Sequence, residues 1–549
     1  MTGVKSLADA VLQYPIAVLT WTIVVAFVAR FFWRGYQQRR FYRNLPGPPH
    51  SWLWGHLKIM GEVAALLPPN MHPQQMYTEI AKKHGLEGMF YMDLWPFAEG
   101  SLVLHDPELM DQIQVTKPLP QHRLANDLLK PMVGDNVIAA ANGAVWKRLH
   151  NAMLPAFSWS HIRHLTGMMV DECMIFRDIL DRKAATGEVF SFEETSARLV
   201  FDVISRIVFA FPLHAQTASG QELLDIRELI KLAEGQLDIF TRLNPFNMVR
   251  VWWRKREVVG RLDPKLLSHV YERFKLLINE EMVPSRRNPY SILDLMLREH
   301  VEQSPEKGRT RNAKISKADE ELLLTQIKGL LLGGHGTTTD TLTFLYMLLS
   351  KHPEVVQKIR QELIDVFGPD SLAAMEHVVE YPEKLQNLPY TEGAIKETLR
   401  LFPAGFGVRQ AEAGMTISYK GGNYPIDNGL VLSSNAHGVQ WNSKYFPDPE
   451  EFRPERWIGE NEAPRAYFRT FGKGARACLG QNLALNEIKI ILMATVRDYD
   501  FECAGLKPNA QPRLTHTRLD MIYGDVIFQE LAMEPKPRGG GMMTVRKIA

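Results

Sequence analysis

The segment FRTFGKGARACLG, residues 468–480, sets Cys478 among glycines, with Arg476 two positions before it. A thiolate is a strong ligand for a soft or borderline metal, and glycines let a backbone approach a flat group closely. The same stretch also fits G-x-G-x-x-A through Gly472, Gly474 and Ala477, the turn that cradles a dinucleotide pyrophosphate. That reading needs a strand before the turn, a helix after it and an acid about 20 residues on. The helix LALNEIKIILMATV follows and Asp498 stands at a suitable distance. The preceding region, however, is rich in Pro and Trp, and too little chain remains to complete a doubly wound sheet. It also leaves Cys478 and Arg476 without a part, whereas a metal-ligand reading uses the cysteine directly.

Two further stretches carry candidate chemistry. ELLLTQIKGLLLGGHGTTTDTLTFLYMLLSKHP (321–353) is apolar on nearly every face, so it is expected to run through the interior. Gly333, Gly334 and Gly336 weaken its middle by about 1 kcal/mol each, and Thr337, Thr338 and Thr339 follow. Threonine hydroxyls can bond the carbonyl one turn back. The stretch reads either as a groove that admits a small polar molecule or as close helix packing on glycine. In GAIKETLRLFP (393–403), Glu397 and Arg400 share a helical face, and Arg456 in DPEEFRPERW lies within reach of them if the chain folds back.

The elements that position these residues are mostly helical. The chain has 549 residues, 45% hydrophobic and 23% charged, enough apolar material for one large core. Its formal charge of +2 offers no bulk attraction to nucleic acid. Cys173, Cys478 and Cys503 are too few for a disulfide framework. The run AVLQYPIAVLTWTIVVAFVA (10–29) carries no charge and is long enough to cross a bilayer. Arg30, Arg34, Arg39, Arg40 and Arg43 follow it, against Lys5 before it, which places the body on the cytosolic side. The expected organisation is a short lumenal N-terminus (1–9), a transmembrane anchor (10–33), a basic and proline-rich hinge (34–52), one large body (53–534) and a flexible tail (535–549). No ligand candidate lies in 1–44, so the body is expected to keep its site without that segment. Strands are expected as hairpins in 89–107 and 416–434, and late in DFECAG and GDVIFQE.

Phe471, Gly474, Arg476, Cys478 and Gly480 match F-x-x-G-x-R-x-C-x-G, the heme-ligand signature of the cytochrome P-450 monooxygenases, which this chain resembles. The likeness extends over the anchor, the proline-rich LPGPPHSW, the Gly-Thr helix, E-x-x-R, P-E-R-W and the cysteine loop, in family order. It implies a mainly α fold with a small β portion, a single large domain, and heme b with iron held by the Cys478 thiolate. Arg476 and Arg409 would pair with heme propionates. Trp146 matches the aromatic of W-x-x-x-R, and His150 stands where the arginine is usual, so it would donate a weaker, pH-dependent charge. Glu397, Arg400 and Arg456 match a structural triad. Thr337 falls on the threonine that governs proton delivery to dioxygen, followed by Thr338. The acid usual before it is Gly336, and Asp340 is the nearest carboxylate.

The resemblance implies insertion of one oxygen atom from dioxygen into a lipophilic small molecule, with electrons from NADPH. No flavin or iron–sulfur motif is present, so a separate NADPH–cytochrome reductase is implied, with cytochrome b5 as a further donor. Lys147, Arg148, Lys473 and Arg476 would give it a basic face. The implied location is the endoplasmic reticulum membrane, and the GHGTTT and W-K-R-L-H variants look most like fungal enzymes of secondary metabolism. Two rivals stand beside this reading: a heme-thiolate isomerase or dehydratase that does not use dioxygen, and a non-catalytic heme- or lipid-binding protein. The pocket is expected between Leu119–Ala141, the helix near Gly333, and Ala404–Val408.

Overall fold

The computed structural model describes residues 14–235, 244–279, 291–303, 315–405, 407–427, 429–459, 463, 466–532 and 535–548. Helix α1 (Pro15–Tyr42) is followed by β1 (Met89–Met92) and β2 (Ser101–Leu104), and then by α2 (Gly143–Met153), α3 (Trp159–Thr186) and α4 (Phe192–Phe209). The long α5 (Pro245–Ile278) precedes α6 (Lys317–Leu349), α7 (Pro389–Leu401) and α8 (Gln481–Thr495). Because α6 is apolar all round, it is buried along most of its length and packs against α4, α7 and α8. Its Ser316 cap accepts from Asp319 N–H, and Asp319 and Glu320 occupy the first turn, where the helix dipole favours acids.

Three small sheets complete the fold. With β3 (Phe190–Ser191), β4 (Gly407–Arg409), β5 (Thr416–Tyr419), β6 (Gly422–Pro425), β7 (Val431–Ser434), β8 (Tyr499–Cys503) and β9 (Met542–Lys547), the orders are β1-β2-β7-β4, β3-β9-β8 and β5-β6. The expected hairpin at 89–107 forms, with Met89 opposite Leu104. In 416–434, β5 and β6 pair, but β7 leaves to join β2 in parallel, Ser101 opposite Val431. The four-stranded sheet holds Arg409 at the end of β4.

Three expectations are corrected. The anchor helix does not end near residue 33: α1 runs unbroken to Tyr42, so the first part of the expected hinge is helical. Pro46 and its neighbours lie just beyond its end and cannot continue it, as the proline-rich segment implies. The tail is not loose, because Met543 and Val545 point inward and β9 pairs with both β8 and β3. In GDVIFQE, Asp525–Ile527 is a short 3₁₀ turn. Gly524 has φ +73°, and the Asp525 carboxylate accepts from Asn509 and Arg513, which bends the chain out of strand geometry. The polar stretch 302–320 lies mostly outside the described residues.

Candidate active site

The cysteine loop is folded by its own backbone. Cys478 N–H donates to Phe471 O at 2.9 Å and Ala477 N–H to Gly474 O at 3.0 Å, with Gly472 and Gly474 at φ +69° and +71°. A Cβ on Gly474 would overlap the carbonyl of Gln114, so this glycine lets the loop lie against the 112–116 segment. Cys478 sits just before α8, where the backbone N–H groups of Gly480 and Gln481 point at its sulfur. Burial raises the thiol pKa and those two donors lower it. Cys173 is buried in the core, and Cys503 accepts from Ser350 Oγ at 3.1 Å. Of the three cysteines, Cys478 alone lines a cavity of about 270 Å³ between this loop and α6.

Three arginines line the same cavity; Arg469 is paired with Asp111 at 2.7 Å, which leaves Arg409 and Arg476. Among the described residues neither meets a carboxylate. Arg476 donates to Ala141 O at 2.8 Å and to Asn142 Oδ1 at 3.0 Å, and Arg409 donates to Gln121 Oε1. Asn142 also accepts from Gln121 N–H at 2.9 Å, so the two amides join both cations in one frame. Burial lowers each guanidinium pKa to about 10, with mutual repulsion adding to it at Arg476. A buried Arg409 beside a half-buried Arg476, both held by neutral partners, is costly unless an anion is present.

The opposite wall is α6. Thr337, Thr338 and Thr341 line the cavity. The threonine hydroxyls form a ladder along the helix. Thr337 Oγ1 donates to Gly333 O at 2.7 Å, Thr339 to His335 O at 2.7 Å and Thr341 to Thr337 O at 2.8 Å. The two glycines differ. A Cβ on Gly334 would strike Ile204 of α4 at 2.6 Å, while Gly333 faces open space. Gly334 is therefore a packing glycine, whereas Gly333 is exposed and is not among the residues lining the cavity.

Several predicted residues stand behind the wall instead of on it. Asp340 is buried and is not among the lining residues. Gly474, Gly480, Trp146 and His150 do not line the cavity either. Trp146 lies under Arg476, whose guanidinium carbon is 4.0 Å from the ring centroid, and the His150 ring meets Trp146 at 4.9 Å, tilted by 41°. His150 thus supports the aromatic that supports the arginine. Of the stretch 119–141, Arg123–Val133 is helical and Gln121 is the residue that lines the cavity. Ala404, Gly405 and Gly407 form another part of its wall.

The charged cluster reaches the loop through a residue the sequence did not flag. Glu397 accepts from Arg400 Nε and Nη2 at 2.9 Å, from Arg456 Nε at 3.1 Å and from Trp457 Nε1 at 3.0 Å. Arg400 donates to Gln440 O, and Gln440 Oε1 accepts from the Arg469 N–H at 2.8 Å. The cluster therefore fixes the start of the cysteine loop through Gln440. Gln440, Gln121 and Asn142 are neutral amides without spacing signals, and no sequence pattern would have found them.

A thiol at a helix N-terminus, two uncompensated guanidiniums and a wall of small residues suit a flat, dianionic macrocycle carrying a metal ion. The donor set fits heme. The family model for cytochrome P-450 matches residues 45–519. The cytochrome P-450 monooxygenase polC of Polytolypa hystricis is 30% identical over 87% of this chain and 86% of its own length. The monooxygenase acrF of Aspergillus aculeatus is 30% identical over 88% and 99% respectively. Cytochrome P-450 4A24 of Sus scrofa is 26% identical over 86% of this chain and 88% of its own. The heme domain of cytochrome P-450DA superposes with a TM-score of 0.71 over 92% of this chain at 19% identity, a likeness of fold alone. From the cysteine loop to the sheet that holds Arg409, this chain belongs to the cytochrome P-450 family.

Proposed function

We propose that Cys478 would hold the iron of the heme this family carries, and that the protein is a monooxygenase acting on a lipophilic small molecule. The observation that carries the assignment is the meeting of Cys478, Arg409, Arg476 and Thr337 on one cavity. When bound, the heme supplies the redox centre at which dioxygen is reduced and cleaved, a reaction favoured by a thiolate ligand. Gly480 and Gln481 N–H groups steady the negative sulfur. Arg409 and Arg476 hold the two carboxylates, oriented by Gln121 and by Asn142 with Trp146. Thr337 Oγ1 is the proton-handling group on the facing wall, with Thr338 beside it. Asp340 can reach the cavity only through an intermediary, and Thr341, its neighbour on the lining, is the available hydroxyl.

The family draws electrons from a separate reductase, and for this chain we assign docking to Lys147, Arg148 and Lys473 around the cysteine loop. Helix α1 is long and apolar enough to cross a membrane. With the arginines that follow, it supports anchoring in the endoplasmic reticulum with the body in the cytosol. The fungal relatives support a role in fungal secondary metabolism. In Cys478→Ala, the strongly red-shifted Soret band of the reduced, CO-bound protein should vanish, while Cys173→Ser and Cys503→Ser keep it. A surviving band removes Cys478 as ligand. Turnover that proceeds without NADPH would favour the isomerase instead.

A further inference from the structure

The loop 134–142, between the helical stretch Arg123–Val133 and α2, is held at both ends. At its start stands Gln326 of α6, a neutral amide that is 1% exposed. Its Oε1 accepts from Ile138 N–H at 2.9 Å and its Nε2 donates to Asn136 O at 2.9 Å. The carbonyl before Val137 and the N–H after it are the groups that a neighbouring strand would use, so one side chain replaces a strand here. Val137 drops into the space left by Gly329, where a Cβ would collide with its Cγ2, and Gly134, at φ +114°, packs likewise on Thr325. Gln326, Gly329, Gly333 and Thr337 follow one another at spacings of three and four. The loop is therefore tied to the helix face that carries Thr337.

The far end of the loop holds the cations. Ala140 and Ala141 N–H both donate to Val137 O, at 2.9 and 2.8 Å, which folds the chain into a tight turn directly after the clamped residues. Met132, Val133, Val137 and Ala140 pack with Leu332 of α6 and close the gap between turn and helix. Ala141 O and Asn142 Oδ1 then accept from Arg476, and Asn142 Nδ2 donates to Gln121 O at 3.0 Å. Gln121 in turn accepts from Arg409. Thr337 and Arg476 both line the cavity, and this loop is the link that ties one to the other.

We infer that Gln326 is a positioning residue for the cofactor edge: through the loop it fixes Ala141 O and the Asn142 amide, and so the Arg476 guanidinium, relative to the α6 face that carries Thr337. The inference rests on the reading of Arg476 as the partner of a heme carboxylate. Among the described residues Arg476 meets no carboxylate, so its direction depends on these two neutral acceptors. Hydrogen bonds to neutral acceptors act only at short range and near-linear geometry, so a loop displaced by about 1 Å would release the guanidinium. Trp146 supports the flat face of that group but does not aim its N–H donors.

The test is heme transfer from the loaded full chain to an apo-acceptor, with hydrogen exchange at the Ile138 amide followed in parallel. Gln326→Met keeps the side-chain volume and removes both bonds. It should speed heme transfer about tenfold, the factor expected for a lost buried hydrogen-bonding group, and deprotect Ile138. Gly329→Leu displaces Val137 while improving helix propensity, so it should speed transfer likewise without weakening α6. Arg476→Gln alone should also speed transfer. In that background Gln326→Met should add less than about twofold, because both changes act on one guanidinium. A full tenfold addition there would make Gln326 a merely structural residue and overturn the inference. Transfer unchanged in Gln326→Met and Gly329→Leu, with Arg476→Gln fast, overturns it too and leaves the reading of Arg476 standing. Transfer unchanged in Arg476→Gln overturns that reading and the inference with it. Should Gln326→Met take up no heme, Gly329→Leu decides by the same cycle with Arg476→Gln.

Discussion

Truncation before residue 34 and truncation before residue 45 should yield different proteins. Both remove the apolar span, but the longer deletion also removes Arg39, which is buried and paired with Asp93, whose side chain is fully buried. Taking away one partner of a buried ion pair leaves a charge without compensation and costs about 3–5 kcal/mol. His50 Nε2, 2.9 Å from the same carboxylate, remains as a hydrogen-bond partner, which points to the lower end, about 3 kcal/mol. That is on the order of a hundredfold in the folding equilibrium. Arg39→Met in the full chain isolates the same term while keeping much of the stem's packing. The assay is the urea midpoint followed by far-UV circular dichroism in detergent, with heme retention read from the CO complex in parallel. The shorter truncation should match the full chain, whereas the longer one and Arg39→Met should fall together. Equal midpoints for the two truncations would show that Arg39 contributes nothing to the fold, and the expectation that residues 1–44 are dispensable would stand.

Three further predictions concern the site and its surroundings. Gln121→Glu keeps an acceptor for Arg409 but neutralises it, so heme should transfer to an apo-acceptor about tenfold faster than in the parent, one pK unit's worth of charge pairing; an unchanged rate would show that Arg409 does not hold a carboxylate. Thr337→Ala should lower product formed per NADPH and raise hydrogen peroxide, and an unaltered ratio would remove Thr337 from proton delivery. Burial depresses His72 and His335 to about 3 and His105 to about 4, while it raises Glu487 to about 8. The unfolded chain takes up protons at these histidines first, so stability is full above pH 6.5 and falls as pH drops toward 4, by up to about 1.4 kcal/mol per group per pH unit. Glu487 acts in the opposite sense. Its contribution is full below the ordinary carboxylate range and is lost as pH rises through 8, so Glu487→Gln should gain stability relative to the parent at alkaline pH. Parallel stability–pH curves for the two would refute its burial as a neutral acid.

What could be read from the sequence was local. Phe471 to Gly480 form one loop, so their spacing survives folding unchanged, and the apolar run of α6 needs no partner to be recognised. Distance in the chain hid the rest. Asn142 and Arg476 are 3.0 Å apart in space but lie on segments far apart in sequence, and a neutral amide carries no charge pattern to betray the pairing. Composition misled at the C-terminus. The Pro- and Gly-rich stretch before Met542 looks like a tail, yet the short alternation after it is enough for a strand when β8 offers an open edge. In GDVIFQE the apolar triplet reads as strand, but three side-chain bonds to Asp525, from Asn509 and Arg513, hold the backbone in a turn there. Helix α1 outruns the expected anchor because an apolar run reports what can span a bilayer, not where a helix stops. Arginine is a good helix former, and only proline forbids continuation.

The unbroken run of α1 into the body has a kinetic consequence. A helix of 28 residues spans about 42 Å and acts as a strut instead of a tether. Held by Arg39, the body keeps its height and tilt and retains mainly rotation about the bilayer normal. If the helix is the anchor and the cysteine-loop face the docking face, as proposed, a redox partner in the same bilayer would meet that face at a constant elevation. The search for a productive encounter becomes two-dimensional, with most of the orientational entropy already spent before collision. Mutations that soften the strut would slow electron delivery at low partner density while leaving the site itself untouched.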